Sequence, residues 1–173
     1  MERKRFRRSV TASEFILTDD NHVVRCRIGI DQSQSPSVAL TDQNGIARLE
    51  LLLDGNRPFI SLSDGNKETR LMLTLGEEED PRLWMFDGNS ENPRIGVLVD
   101  RNGTACVEVR SREGEASAIV SVGSDGKSSI NMWTEQGRTP AISLRLKPSG
   151  EAEFSLWNND EERIWTVTNQ KIT

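Results

Sequence analysis

The residue types that most often carry acid–base, nucleophilic or metal chemistry are few in this chain and lie far apart. Histidine occurs once, at His22, in a stretch that predicts a turn. A single imidazole excludes metal sites built on several histidines, and it has no serine or cysteine partner at the spacing of catalytic triads and dyads. Cys26 and Cys106 are distant in sequence and are expected to be unpaired thiols. These residues predict no catalytic site.

Carboxylates are abundant, but their positions indicate structural roles. The acidic run 77–80 falls in a predicted turn, where charge discourages edge-to-edge aggregation of a sheet. The Asp-Gly-Asn turn at 54–56 lacks the further carboxylates and the terminal Glu of a calcium loop. We therefore expect a protein that is not an enzyme and that holds no metal and no cofactor.

Asp and Arg recur as pairs in the first half of the chain. The pairs are Asp19/Arg25, Asp42/Arg48, Asp64/Arg70 and Asp87/Arg94. Each Asp begins a predicted turn, where its carboxylate can accept backbone N–H groups. Each Arg opens the following strand on its solvent side. This spacing predicts capped turns and an exposed ladder of charge, rather than a carboxylate row for metal or an arginine row for an anionic polymer.

The elements that position these side chains come from an internal repeat. Seven segments follow one another at steps of 22 to 24 residues, starting at Glu14, Ser37, Phe59, Arg82, Cys106, Ser129 and Glu153. Each has apolar residues two apart, which is typical of a strand with one apolar face. A turn-rich cluster and a second alternating segment follow. The sequence predicts an all-β fold of seven tandem β-hairpin repeats of about 23 residues, with about 14 strands in an antiparallel meander.

The predicted domain organisation is a basic N-terminal arm at 1–12 and one β-hairpin repeat domain at 13–173. The repeats fall near 13–35, 36–57, 58–80, 81–103, 104–126, 127–150 and 151–173. Asn44-Gly45 favours a two-residue type I′ turn, and a similar turn is predicted at 56–57. Across these two turns the predicted strand pairs are Leu40–Leu49 and Leu53–Ile60.

A single-layer meander leaves its apolar face in water unless something covers it. Three arrangements are open: an oligomeric β-prism in which three chains pack their apolar faces together, a closed β-barrel, or a parallel β-solenoid. The first is favoured and predicts a homo-oligomer, with a trimer preferred. It implies a structural or recognition protein. The barrel implies the alternative function, a carrier of a hydrophobic ligand in an apolar lumen.

Aromatic residues on the opposite face are the candidate binding residues. The alternation places Trp84, Phe86, Trp133 and Trp157 away from the apolar face, with Trp165 as a further candidate. Aromatic side chains are enriched at recognition surfaces, so a protein or glycan partner is expected here if one binds. Ordinary cross-strand packing is the alternative explanation.

The N-terminal arm carries the basic residues Arg3, Lys4, Arg5, Arg7 and Arg8, whereas the whole chain has a net charge of −5. Nucleic acid is therefore not expected as a partner except through this arm. There is no apolar run of 18 residues, so no transmembrane helix is predicted. The basic start does not lead into the apolar region of a signal peptide. We expect cytoplasmic synthesis, and the sequence leaves the final location open.

Overall fold

The computed structural model describes residues 11–30, 34–88, 91–134, 140–158 and 162–169. Over these ranges the chain is all-β and contains no helix. The basic residues Arg3, Lys4, Arg5, Arg7 and Arg8 lie outside the described residues. The strands are β1 (Glu14–Thr18), β2 (Val24–Ile30), β3 (Pro36–Thr41), β4 (Ala47–Asp54), β5 (Arg57–Ser63), β6 (Thr69–Leu75), β7 (Pro81–Met85), β8 (Ile95–Val99), β9 (Ala105–Arg110), β10 (Ala116–Val122), β11 (Ser128–Met132), β12 (Ile142–Leu146), β13 (Ala152–Trp157) and β14 (Arg163–Asn169).

The strands form one antiparallel sheet in which sequence order equals spatial order, from β1 to β14. Strand-to-strand contacts within the described ranges join successive strands only, so the sheet is a single layer. The predicted antiparallel meander of hairpins is confirmed. The closed barrel is wrong, because β1 and β14 do not pair with each other. The parallel solenoid is also wrong, because every strand pair is antiparallel and each hairpin stays in one layer.

Most hairpins turn through the same short loop. The residue that begins the loop donates its N–H to the carbonyl four positions on, and its own carbonyl accepts the N–H three positions on, as at Asp42 with Ile46 and Gly45. The residue three positions after the first has a positive φ, which is 76° for Gly45. This geometry is a type I turn followed by a left-handed residue that forms a bulge. The predicted type I′ turn at 44–45 is therefore wrong.

The predicted strand register is right at one turn and displaced at the other. Leu40 pairs with Leu49, as expected. Leu53 pairs with Pro58 instead of Ile60, because the turn residues are Gly55 and Asn56. The displacement is two residues, so every side chain of the hairpin keeps its expected face.

Candidate interaction surfaces

The apolar face consists of side-chain rows that cross the whole sheet. One row runs through Leu17, Cys26, Leu40, Leu49, Leu62, Leu71, Met85, Ile95, Val109, Ala118, Met132, Ile142, Leu156 and Trp165. The next row runs through Phe15, Ile28, Val38, Leu51, Ile60, Leu73, Leu83, Val97, Val107, Val120, Ile130, Leu144, Phe154 and Val167. Neither row contains a charged residue.

This apolar face is in water along its whole length. Side chains at both ends and in the middle of the sheet are exposed, for example Leu17 at 64%, Leu73 at 45% and Val120 at 50%. A third partial row with Ile30, Leu53 and Val99 is exposed as well. Burial of apolar area is the main favourable term in folding and association. A continuous apolar surface of this kind therefore indicates an interaction surface.

The apolar face is concave over its N-terminal half. Residues of β1 to β7 line a groove of about 800 Å³ there. Its walls include Phe15, Ile28, Leu51, Ile60 and Leu73. The groove is part of the apolar face rather than a separate site, because all five residues belong to the second row described above.

The polar face, on the other side of the sheet, has a central row that contributes one residue from each strand. The row runs through Ile16, Arg27, Ala39, Glu50, Ser61, Met72, Trp84, Gly96, Glu108, Ile119, Asn131, Ser143, Ser155 and Thr166. Ser61, Trp84, Glu108, Ser143 and Ser155 are buried. In the single chain, side chains in the central row of the polar face are therefore less exposed than those of the apolar face. In most proteins the apolar side chains are the less exposed ones.

Hydrogen bonds join several of the polar groups in this row. The Ser143 hydroxyl donates to Asn131 Oδ1 at 2.8 Å, and Asn131 Nδ2 donates to Ser129 Oγ at 3.0 Å. The Ser155 hydroxyl donates to Glu153 Oε1 at 2.8 Å. Buried hydroxyl and amide groups with such partners stabilise one side-chain arrangement instead of costing desolvation energy.

Trp84 packs in a cluster with Arg110 and Glu108 and is not exposed. The guanidinium carbon of Arg110 is 5.0 Å from the centre of the indole ring, which is a cation–π distance. Arg110 Nη2 donates to Glu108 Oε1 at 2.8 Å. Trp84 is only 9% exposed in the single chain, and a role for it in binding a partner stays a prediction.

The predicted Asp–Arg pairs are confirmed as ion pairs. The N–O distances are 3.3 Å for Arg25–Asp19, 3.4 Å for Arg48–Asp42, 3.8 Å for Arg70–Asp64 and 3.0 Å for Arg94–Asp87. The carboxylates also cap their turns: Asp42 Oδ1 accepts the N–H groups of Asn44 at 2.8 Å and Ile46 at 3.1 Å. The Ile46 N–H is the largest cause that lowers the pKa of the Asp42 carboxyl below its ordinary value.

Each of these arginines has a second role that the sequence did not predict. Arg48 Nε donates to the carbonyl of Ser63 at 2.7 Å, and Arg94 Nε donates to the carbonyl of Arg110 at 2.9 Å. Arg25 makes the same contact with Thr41 at 3.1 Å. Arg70 differs, because its Nη1 donates to the carbonyl of Asp87, beyond the end of β7. In each case the arginine of one repeat binds a carbonyl at or after the end of the first strand in the next repeat, so the ladder joins successive hairpins.

The Asp–Arg ladder does not continue in the same form in the C-terminal half, where tryptophans lie at or just after the ends of the first strands of two repeats. Trp133 N–H donates to the Ser117 carbonyl and Trp157 N–H to the Ala141 carbonyl, both at 3.0 Å. Ser117 and Ala141 stand where the earlier repeats have arginine. Both tryptophans are half-buried, and Ala141 lies between them across the sheet. Their role in binding a partner stays a prediction.

The remaining candidate residues are separated from this pair. Phe86 is half-buried, follows β7 on the same side of the sheet and donates its N–H to the Arg70 carbonyl at 3.0 Å. Trp165 lies on the apolar face, where it pairs with Leu156 and contacts the Phe154 ring edge-on at 5.4 Å. The five predicted binding residues therefore do not form one site.

Both cysteines are free, on opposite faces of the sheet. Burial, with a smaller contribution from Glu108, raises the pKa of the Cys106 thiol. In the part of the chain that the structure describes, no three His, Cys, Asp or Glu side chains are grouped so that they could hold a metal ion. The described ranges also contain no helix long and apolar enough to span a membrane.

Comparison with known proteins places the chain in no family. No family model matches its sequence, and no curated protein is similar to it. Among solved structures, the fold is similar to the TCP domain of SAS-4 of Drosophila melanogaster, which was solved in complex with a proline-rich motif of Ana2. The two share 11% identity over 99% of each chain with a TM-score of 0.42. That level of likeness carries no functional argument.

Proposed function

We propose that this chain is a non-enzymatic structural protein whose copies assemble through the apolar face. The observation that carries the proposal is the pair of uncharged rows that cross all 14 strands and remain in water. A single-layer sheet has no second layer to cover such a face. Another protein surface is therefore needed to remove it from water.

The size of the apolar face supports a stable interface. Fourteen strands at about 4.8 Å spacing extend about 60 Å along the sheet, and three rows are about 15–20 Å wide, so the face measures about 1,000 Å². The largest apolar patch on a typical monomer is about 300–600 Å². A specific interface buries about 800 Å² on each partner. The face is thus large enough for a permanent assembly.

Copies of the same chain are the partner that this face fits. The rows run unbroken from β1 to β14, so an identical sheet offers a surface of the same length and chemistry. A single charged residue in a facing row would be costly to bury without a partner, and neither row contains one.

Three copies fit the width of the strands. Walls of five to eight residues are about 17–25 Å wide. In a triangular prism with such walls, each wall lies about 5–7 Å from the central axis. Stacked sheets are about 10 Å apart, so apolar side chains reach about 5 Å from each sheet. Three walls therefore fill their common interior with side chains, as a β-prism requires.

The alternative function, a carrier of a hydrophobic ligand, required a closed barrel with an apolar lumen, and the sheet is not closed. The groove of about 800 Å³ in the apolar face is the remaining place for a hydrophobic ligand. In an assembly of apolar faces, side chains of the neighbouring copies occupy the same groove. The two functions therefore predict different states in solution: an oligomer for the structural protein, and a monomer with a bound hydrophobic ligand for the carrier.

Light scattering on a size-exclusion column, across a hundredfold dilution, tests the proposal. At the highest dilution, where end-to-end association is weakest, we expect a mass three times the chain mass of 19.4 kDa. A twofold mass would retain assembly but replace the trimer by a face-to-face dimer. A persistent monomer would overturn the proposal, and a monomer that retained a fatty acid would favour the carrier.

Two variants of adjacent residues give a matched control for the same experiment. Leu51→Glu places a carboxylate on the apolar face and should yield monomers at the highest dilution. Leu52→Glu makes the same change on the polar face, since Leu52 pairs with Phe59 there, and should leave the mass unchanged. Circular dichroism confirms that both variants fold. Equal masses for the two variants would contradict assembly through the apolar face.

A further inference from the structure

The two outer strands of the sheet have unused pairing edges. Among the described residues, β1 has a neighbour only in β2, and β14 only in β13. Their side chains are also the most exposed large apolar ones, with Leu17 at 64% and Ile164 at 62%. An edge strand presents unpaired N–H and C=O groups to any strand that can align with it. Both ends of the sheet are therefore able to accept a further strand.

Every junction between successive repeats has the same register. An even-numbered strand meets the following odd-numbered strand with first-row residues opposite each other. The six pairs are Cys26–Leu40, Leu49–Leu62, Leu71–Met85, Ile95–Val109, Ala118–Met132 and Ile142–Leu156. Because the register is constant, both faces of the sheet continue without a step through all the junctions.

We propose that β14 of one copy pairs antiparallel with β1 of a second copy and so adds a seventh junction of the same kind. The even number of described strands makes this possible. β14 runs in the same direction as the other even-numbered strands, each of which pairs with the first strand of the next repeat. In this register Trp165 lies opposite Leu17 of the neighbour, and Val167 lies opposite its Phe15. The apolar face then continues from one copy into the next.

The side chains of the two edges are compatible with this pairing. Neither β1 nor β14 contains Lys or Pro, the residues with which natural sheets commonly block an edge. Glu14 would lie opposite Thr168, so no like charges meet. Trp165 opposite Leu17 gives an aromatic–aliphatic cross-strand pair of the kind that stabilises sheets.

The proposed contact joins different edges of the two copies, so it leaves one free edge at each end and propagates. The product is a filament that grows perpendicular to the strands. It does not depend on assembly through the apolar faces, because strand pairing uses backbone groups in the plane of the sheet. The two assemblies can therefore be tested separately.

Disulfide trapping between separate chains tests the register. In a background with Cys26→Ser and Cys106→Ser, Phe15→Cys chains are mixed with Val167→Cys chains and oxidised. Directly paired residues have Cα atoms about 4.5–5.5 Å apart, within the range of a disulfide. We expect a 15–167 link by mass spectrometry, and about tenfold less product when Leu17→Cys replaces Phe15→Cys. The apolar-face variant Leu51→Glu should still give the 15–167 link.

Two further outcomes would overturn the proposal. One is a link between Phe15→Cys and Leu17→Cys chains that also carry Leu51→Glu, because in the absence of the lateral assembly a twofold pairing of β1 with β1 produces it. The other is the absence of every link at concentrations at which heavier species sediment. As an independent check, Ile16→Lys on the free edge should abolish species heavier than the lateral assembly. The matched control Ala39→Lys adds the same charge in the same row of an interior strand and should leave them unchanged.

Discussion

The indole of Trp84 occupies the space in which a side chain of residue 96 would lie. Gly96 is the cross-strand partner of Trp84, and a Cβ atom there would be 2.3 Å from Cζ3 of the ring. The same Cβ would be 2.8 Å from Oε1 of Glu108. The indole thus lies across β8, and glycine is the residue that permits it.

Gly96→Ala is therefore expected to lower the free energy of unfolding by about 1–3 kcal/mol, because the indole or the strand must move. Urea denaturation followed by circular dichroism measures this change. Gly65→Ala is the matched control, since a Cβ atom at Gly65 has no atom within 4 Å. A destabilisation of equal size at both positions would contradict the packing described for Trp84.

Arg110 is expected to be the most important arginine for stability. It covers the Trp84 ring and donates to the Glu108 carboxylate, whose side chain is 7% exposed. Arg110→Met leaves this carboxylate buried without its cation, at a cost of about 3 kcal/mol or more.

Arg112→Met provides the comparison, because Arg112 is 68% exposed and lies 3.6 Å from Asp87. An exposed pair of this kind contributes at most about 1 kcal/mol. The two free energies of unfolding are compared by urea denaturation. If Arg112→Met proved the more damaging, the cluster at Trp84 would not be a stabilising unit.

Acid should destabilise the fold through the turn carboxylates. Backbone N–H groups are the first cause that lowers the pKa of Asp19, Asp42 and Asp64 from the ordinary value of 3.8. A group whose pKa is lower in the folded state stabilises the fold above its unfolded pKa and loses that contribution as the pH falls through the folded pKa. The melting temperature should therefore fall as the pH decreases below about 4.

The triple variant Asp19→Asn, Asp42→Asn, Asp64→Asn separates charge from capping. Asn keeps an oxygen that accepts the same N–H groups, but it does not titrate. The variant should show a shallower loss of melting temperature between about pH 4 and pH 2. Asp20→Asn removes a carboxylate of the first turn and is the control. An unchanged acid slope in the triple variant would refute the role of these carboxylates.

The two cysteines are expected to report on assembly, because they lie on opposite faces of the sheet. Cys26 belongs to the apolar face and Cys106 pairs with Ser121 on the polar face. Packing of apolar faces should slow iodoacetamide labelling of Cys26 in the native protein relative to the Leu51→Glu variant. Labelling of Cys106 should occur at the same rate in both. Equal rates at Cys26, measured by mass spectrometry, would argue against a covered apolar face.

The alternation of apolar residues was enough to predict the strands and, except for β14, their faces. Side chains of a strand alternate between the two faces, so a register error of two residues, as at Leu53, leaves every side chain on its predicted face. Turn type was harder to predict. Lys67 and His22 adopt φ values of 69° and 62° at the position that Gly45 occupies in the second repeat, so the residue type alone does not reveal the turn.

The environment of the tryptophans was not predictable from alternation alone. Alternation places Trp84 on the polar face, but its burial depends on Gly96 in the next strand and on Arg110 two strands further along the chain. Trp165 is a different case. A bulge in the β13–β14 pair, between Leu156 and Trp157, sets the phase of the last strand and places Trp165 on the apolar face.

The strict succession of strand contacts has a consequence for how the chain folds. Paired residues in the sheet lie no more than 18 positions apart, as for Ser128 and Leu146. The relative contact order is therefore about 0.1 or less, a value typical of helical bundles rather than β-proteins. Folding in milliseconds or faster is expected despite the all-β architecture. Each hairpin can also form as soon as its second strand has left the ribosome, without waiting for distant parts of the chain.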